Sequence, residues 1–262
     1  MLEAAAASGG GDPIYVEDVF NTDLYAGTGA SLTITNGIDF SGEGGMVWQK
    51  ARTSAYNSVV RDTNRAGETI YTNLAGAQDD DGGVTFNSNG YTLGYSDSYA
   101  NTSGVSMVTW SFRKAPGFFD VVSYTGDGTS ARNISHNLGC KPACIMVKRL
   151  NASEDWQVWS RYTDLTYNVA YLNTNAAWTN TGGDNAAFAA FRPSSTEFTL
   201  GKGSRLNDTN ENGGTYVAYL FAGQNDAESQ IFGADGDESI IKSGTFTPSG
   251  GNGEADVVLG WE

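Results

Sequence analysis

Few side chains in this sequence have the type and spacing to do chemistry. Asp235-Gly236-Asp237-Glu238 places three carboxylates within four residues. That suits a hard cation such as calcium, which gathers carboxylate and carbonyl oxygens from a flexible loop. The Gly-x5-Glu continuation of a full calcium loop is missing, so solvated linker acids are the alternative reading. Asp79-Asp80-Asp81 reads the same way. Trp178 stands in the polar stretch NTNAAWTNTGGDN with Asn180 and Asp184 close behind. An exposed indole with amide and carboxylate partners is how proteins hold sugars. Packing under a long loop is the competing reading of Trp178.

Catalytic sets are harder to find. His136 is the sole histidine, and no Gly-x-Ser-x-Gly elbow offers it a nucleophile. It reads as a hydrogen-bonded turn residue at a strand end. No strand carries the alternating Glu-x-Asp-x-x-Glu pattern that sets two carboxylates about 5 Å apart for glycoside cleavage. Glu154-Asp155, just before Trp156, reads as a turn. Cys140 and Cys144 lie four residues apart, about 13 Å along an extended strand, too far to bridge without a turn. Two free, half-buried thiols are expected. With one His and two Cys, a structural zinc site lacks ligands.

Any such residues must be held by strands. Glycine is abundant, at 34 of 262 residues, among many Thr, Ser, Asn and Asp. Short alternating segments between Gly-rich turns read as all-β. In SMVTWSF, Met107, Thr109 and Ser111 face one way and Val108, Trp110 and Phe112 the other; Val217, Tyr219 and Phe221 of TYVAYLF match the latter face. Trp48 and Trp110 lie in regular strands and are expected in the core. No helix longer than two turns is expected, and no 18-residue apolar run exists to span a membrane. The net charge of −15 repels phosphate backbones and argues against nucleic acid.

The chain repeats itself. Tyr25-Ala-Gly-Thr-Gly-Ala-Ser31 matches Tyr124-Thr-Gly-Asp-Gly-Thr-Ser130, and MVWQK (46–50) matches CIMVK (144–148). ETIYTN (68–73) matches NVAYLN (168–173), GYTLG (90–94) matches EFTLG (197–201), and VSMVTWSF (105–112) matches GTYVAYLF (214–221). Five blocks in one order, with loops of differing length, mean two copies of one unit. The Gly-x-Gly segment is a strand end and turn, not a phosphate cradle, because no helix follows it. A third copy begins at SGTFTPSGG (243–251) and stops after its second strand. Truncation or processing is expected there, with the ordered part docked on domain two.

The expected fold is therefore all-β: two tandem antiparallel β-sandwiches plus the first strands of a third repeat. The expected divisions are a flexible arm at 1–13, repeat 1 at 14–115, repeat 2 at 116–224, and a linker with the partial repeat at 225–262. The arm has no basic region and is a poor secretory signal.

Several motifs carry a resemblance: Phe118-Phe119-Asp120-Val121-Val122 with Tyr124-Thr125-Gly126, His136-Asn137-Leu138-Gly139, Ile145-Met146-Val147-Lys148, Tyr216-Val217-Ala218-Tyr219-Leu220-Phe221 and Asp235-Gly236-Asp237. Through them nearly the whole chain resembles tandem-repeat proteins of tailed phages, especially marine ones, with concanavalin A-like (laminin-G-like) jelly-roll domains. The resemblance implies a virion location and a non-enzymatic tail-fibre or appendage component contacting host surface glycans. A homo-oligomer, with a trimer favoured, would assemble with other virion proteins. A purely structural capsid-decoration or filament subunit is the first alternative, a glycan-degrading enzyme the second. No cofactor is expected beyond a calcium ion at the acidic turn.

Overall fold

The structure, a computed structural model, describes residues 13–79, 83–94, 99–129, 131–161, 168–180, 193–200, 209–223 and 230–244. The described residues are all-β with antiparallel pairing, and the helices Val16–Val19 and Phe40–Glu43 are one turn each. The first repeat gives β1 (Phe20–Ala26), β2 (Leu32–Ile34), β3 (Gly45–Ala51), β4 (Val59–Asp62), β5 (Ile70–Tyr71), β6 (Val84–Asn87), β7 (Gly90–Leu93) and β8 (Ser106–Arg113). The second gives β9 (Phe119–Thr125), β10 (Arg132–Ser135), β11 (Cys144–Arg149), β12 (Gln157–Ser160), β13 (Asn168–Tyr171), β14 (Thr179–Asn180), β15 (Glu197–Leu200) and β16 (Thr215–Phe221).

Each repeat folds into one large and one small sheet. The first has the order β1-β8-β3-β4-β5 facing β2-β7-β6; the second has β14-β13-β12-β11-β16-β9 facing β10-β15. The registers agree residue for residue. Phe20 pairs with Phe112 and Gln49 with Thr109, as Phe119 pairs with Phe221 and Val147 with Ala218. The repeated Tyr-x-Gly-x-Gly is one turn used twice. Tyr25 and Tyr124 donate their hydroxyls to the Ala100 and Thr209 carbonyls at 2.8 Å each. A Cβ on Gly27 or Gly126 would strike the carbonyl oxygen of Thr102 or Glu211. The Lys that ends each apolar strand also has one task. Lys50 Nζ donates to the Tyr56 carbonyl, and fully buried Lys148 donates to those of Ala75, Arg149 and Glu154.

The large sheets bury both faces. Toward its small sheet, the first uses Val47, Ala51 and Met107 against Ile34, Val84, Tyr91 and Leu93. The second uses Ile145, Val147, Ala218 and Leu220 against Ile134, Phe198 and Leu200. The opposite faces meet each other: Met46, Val60 and Ile70 pack against Phe119, Val121, Met146, Val217 and Tyr219. Four sheets therefore stack in four layers, and the middle contact is a seam between the repeats. Trp48 and Trp110, edge to face at 6.3 Å, are half-buried on the seam face and lie outside the sandwich interior.

A buried polar knot pins the seam. Asp62 Oδ2 accepts from Arg65 Nε at 2.7 Å and from the Tyr219 hydroxyl at 2.6 Å, and Arg65 Nη2 reaches the same hydroxyl at 3.2 Å. Burial, with the Asp62 carboxylate adding to it, pushes the Tyr219 phenol well above its usual range, so it stays a donor. Around the knot, Trp156 Nε1 donates to the Tyr71 carbonyl at 2.9 Å, and Asn64 Nδ2 to that of Val121 at 3.0 Å. The segment after repeat 2 closes the seam. Phe232 is fully buried in its core, Ile231, Ile240 and Ile241 pack on it, and Gly233 N donates to the Ile14 carbonyl. The docking expected on domain two is thus on the joint of both repeats. Phe246, Val257, Leu259 and Trp261 lie outside the described residues. Cys140 and Cys144 form no disulfide; Cys140 is fully buried rather than half-buried, and burial pushes the Cys144 thiol up to about 12.

The seam makes one cooperative unit of two repeats, so thermal or denaturant unfolding is expected to show a single transition. Two separate transitions would contradict the weld. Tyr219→Phe removes one donor to a charged group and is expected to cost about 1.5–3 kcal/mol. Asp62→Ala leaves a buried guanidinium unpaired and is expected to cost about 3–5 kcal/mol in the same denaturation assay. His136 is buried in repeat 2 and accepts from Leu138 N through Nδ1. Burial lowers its pKa from the usual 6.5, against the pull of Asp120, the Ser194 backbone and Glu197. The unfolded chain takes this proton first, so the stability contributed by the neutral ring is full above pH 6.5 and lost as pH falls below it. His136→Asn, the residue at the equivalent position 36, is expected to lose less stability than wild type between pH 7 and 5. Equal losses would refute the assignment.

Candidate functional site

Where the two large sheets part beside the seam, they leave an open cleft of about 340 Å³. Both repeats line it: Asn64, Arg65, Glu68 and Gln78 on one side, strands β9 and β16 with Leu150 on the other. The elements that shape it follow from local sequence. Asp62 Oδ1 accepts from the backbone N–H groups of Asn64 and Arg65 and caps a single 3-10 turn. The chain then reverses through Ala66 (φ 53°) and Gly67 (φ 84°), and a Cβ on Gly67 would collide with the Val84 carbonyl. This reversal sets Glu68 on the cleft rim, and Arg65 Nη1 holds the Glu68 carbonyl at 2.9 Å. Gln78 is fixed from across the seam, its backbone N–H donating to the Leu150 carbonyl at 2.9 Å. Opposite them, Ser123, Thr125 and Thr215 lie on the seam face of their strands, past the end of its apolar part.

Two side chains here, Glu68 and Gln78, keep uncommitted oxygens among the described residues. Among the described residues none pairs with the Glu68 carboxylate, and Gln78 Oε1 is buried with no hydrogen-bond partner. The rim thus presents a carboxylate acceptor, an amide and three hydroxyls, with the Arg65 guanidinium held beneath by Asp62. Such a mixture pairs with a neutral ligand that both donates and accepts. Neither Glu68 nor Gln78 could be singled out beforehand. Glu68 reads as the first residue of a repeat block, and only the seam makes it part of a concavity.

The residues singled out from sequence lie elsewhere. Trp178 is 44% exposed, and the Asn180 backbone pairs with Asn168 in the β13–β14 ladder. Asp184 lies outside the described residues. Asp235, Asp237 and Glu238 are exposed on a turn closed by backbone bonds between Phe232 and Glu238. Among the described residues no three His, Cys, Asp or Glu side chains gather to hold a metal ion. Asp79 bonds Thr69 through the backbone, and Asp80 and Asp81 lie outside the described residues. Glu154 and Asp155 form a loop reaching the first repeat, where Glu154 N donates to the Ala75 carbonyl.

No curated protein and no solved structure matches the chain. One family model, described as a domain of unknown function (DUF7483), matches residues 16–239. That match runs through both sandwiches, the seam and the cleft between them, so the chain belongs to the DUF7483 family and the joined pair of repeats is the unit the family describes.

Proposed function

We propose that this protein is a non-enzymatic component of a phage virion surface, a tail-fibre or appendage module, and that the seam cleft contacts neutral host glycans. The cleft carries the reading. Hydroxyl-rich ligands need acceptors and donors side by side, and Glu68, Gln78, Ser123, Thr125 and Thr215 provide them in one open concavity. Glu68 and the net charge of −15 disfavour sulfated or phosphorylated glycans. The fused four-layer block suits a particle surface, because load on one sandwich passes to the other through a broad buried contact. A homotrimer, assembled with other virion proteins, is the arrangement this reading favours. A purely structural decoration subunit is the rival.

Neutral oligosaccharides titrated against the purified chain are expected to bind saturably. Glu68→Gln and Gln78→Ala are each expected to weaken that binding about tenfold, the worth of one to two hydrogen bonds. Trp178→Ala is expected to leave it unchanged. Binding lost in Trp178→Ala alone would move the site to the β14 region. No binding at all would favour decoration, and release of reducing ends would favour an enzyme.

A further inference from the structure

The edges of the two large sheets are built alike and finished differently. Each sheet ends on the first strand of its repeat, β1 or β9. Gly27 N donates to the Val105 carbonyl at 2.8 Å and Gly126 N to the Gly214 carbonyl at 2.7 Å, so the two ladders have one phase. In that phase the backbone groups of Asn21, Asp23 and Tyr25 turn toward β8, and those of Thr22, Leu24 and Ala26 turn away from it. In β9 the outward groups are partly occupied. Phe119 exchanges two bonds with Ala115, at 3.0 and 3.1 Å, and the Val121 carbonyl accepts from Asn64 Nδ2. The rest of that edge, Ser123 and Thr125, lines the cleft. In β1 no group among the described residues bonds the outward backbone of Thr22, Leu24 or Ala26.

The side chains beside this edge suit a protein contact. Thr22, Leu24 and Ala26 are exposed, Leu24 at 63%. Leu24 lies opposite Val108, and Thr22 opposite Trp110, which in turn lies opposite Trp48. Val108, Trp110 and Trp48 are half-buried, and Trp48 packs on the seam core. An apolar strip thus runs from the joint of the repeats out to the free edge. In the second repeat the equivalents Met146, Val217 and Tyr219 are buried, and Ser123 stands where the first has Leu24. The seam covers the second face more fully than the first, and the uncovered part of the first is the more apolar. The strip carries no carboxylate. Its one ionised side chain is Lys50, opposite Val108 and held by the Tyr56 carbonyl at 2.7 Å. β1 has neither the proline nor the lysine that commonly guards an edge strand.

We propose that β1 is the docking edge for a second copy of this chain, two β1 strands pairing antiparallel about a twofold axis. Such a pair is self-complementary, so one surface serves both copies. The register follows from the side chains. A pairing centred on Asp23 sets two carboxylates side by side, which is unfavourable. A pairing centred on Leu24 puts Leu24 opposite Leu24, Thr22 opposite Ala26 and Asp23 opposite Tyr25. It buries the exposed leucines at the axis and continues each apolar strip into its mate. Charge favours the same surface. Copies of a chain with a net charge of −15 repel over most of their area and approach best where carboxylates are absent. The contact is continuous with the seam and does not depend on the glycan reading of the cleft. It makes even-numbered assemblies, joining two chains, or two trimers where the trimer also forms.

The test is the mass of the full chain in solution, by analytical ultracentrifugation across a wide dilution series. A dimer or a hexamer is expected. Leu24→Lys sets two ammonium groups against each other at the axis, and Thr22→Pro removes an outward N–H. Each is expected to weaken the twofold contact at least about tenfold. Leu24 is exposed, so Leu24→Lys is expected to fold, with a circular dichroism spectrum matching wild type. Leu74→Lys alters an exposed leucine outside β1 (41%) and is expected to leave association intact, as is Glu68→Gln in the cleft. Hydrogen exchange reads the edge directly. The amides of Thr22, Leu24 and Ala26 are expected to be protected in the assembled wild type and to exchange freely in Leu24→Lys. A monomer alone or a trimer alone at every concentration would overturn the proposal. So would an even-numbered species that Leu24→Lys leaves intact. Amides that stay protected in Leu24→Lys would also overturn it, because a segment of the same chain would then cover the edge.

Discussion

The outward faces of the two large sheets are apolar, and neither could be left in water. Phe20, Phe112, Phe118, Phe119 and Phe221 form one run of ring contacts between 5.0 and 6.4 Å that crosses from repeat to repeat. An exposed patch of that kind is an aggregation hazard. Joining the faces removes it, and the Asp62–Arg65–Tyr219 knot fixes how they join. Hydrophobic contact alone is non-directional. A carboxylate, a guanidinium and a phenol that must all satisfy each other allow one relative placement. The cleft, the docking of Phe232 and the burial of Lys148 under the Ala75 carbonyl all depend on that placement.

Duplication explains the shared register, and the seam explains why the copies could diverge. Once joined, the repeats need not be equally stable alone. The second keeps an apolar interior with Trp159, Leu220 and Phe198. The first carries Arg61, Gln49 and Tyr91 at the matching depth. A single family model spans both repeats.

Much of the fold was legible in the sequence and much of the site was not, for one physical reason. Strand periodicity reports that two faces differ, not what covers each. In β8, Val108, Trp110 and Phe112 look like a core face and Thr109 and Ser111 like a solvent face. The structure puts the apolar set on the seam and the polar set inside the sandwich, where Thr109 and Ser111 are fully buried. A strand buried on both faces breaks the rule that polar means outward. Asp62 and Arg65 fail similarly. Four residues apart counting both ends, they read as turn chemistry, and they do cap a 3-10 turn. Their second function depends on Tyr219, 157 residues from Asp62, which no local spacing reveals. The repeated Tyr-x-Gly-x-Gly turn was legible because two of the things that fix it, a positive φ and a close backbone approach, are properties of glycine itself.

The polar interior of the first sandwich bears on stability. Burying Gln49, Arg61, Thr109 and Ser111 where the twin buries hydrocarbon is less favourable even when the polar groups are paired. Such a loss is tolerable only when the strained part is tied to a more stable one, as functional sites generally are. Here the tie is the seam, where hydrocarbon from both repeats and the Asp62–Arg65–Tyr219 knot are buried together. A first repeat standing alone would have to expose Met46, Val60 and Ile70 while keeping a polar core. The second repeat is therefore more than a copy: its apolar core and its share of the seam let the first hold side chains that an independent sandwich of this size could not easily support.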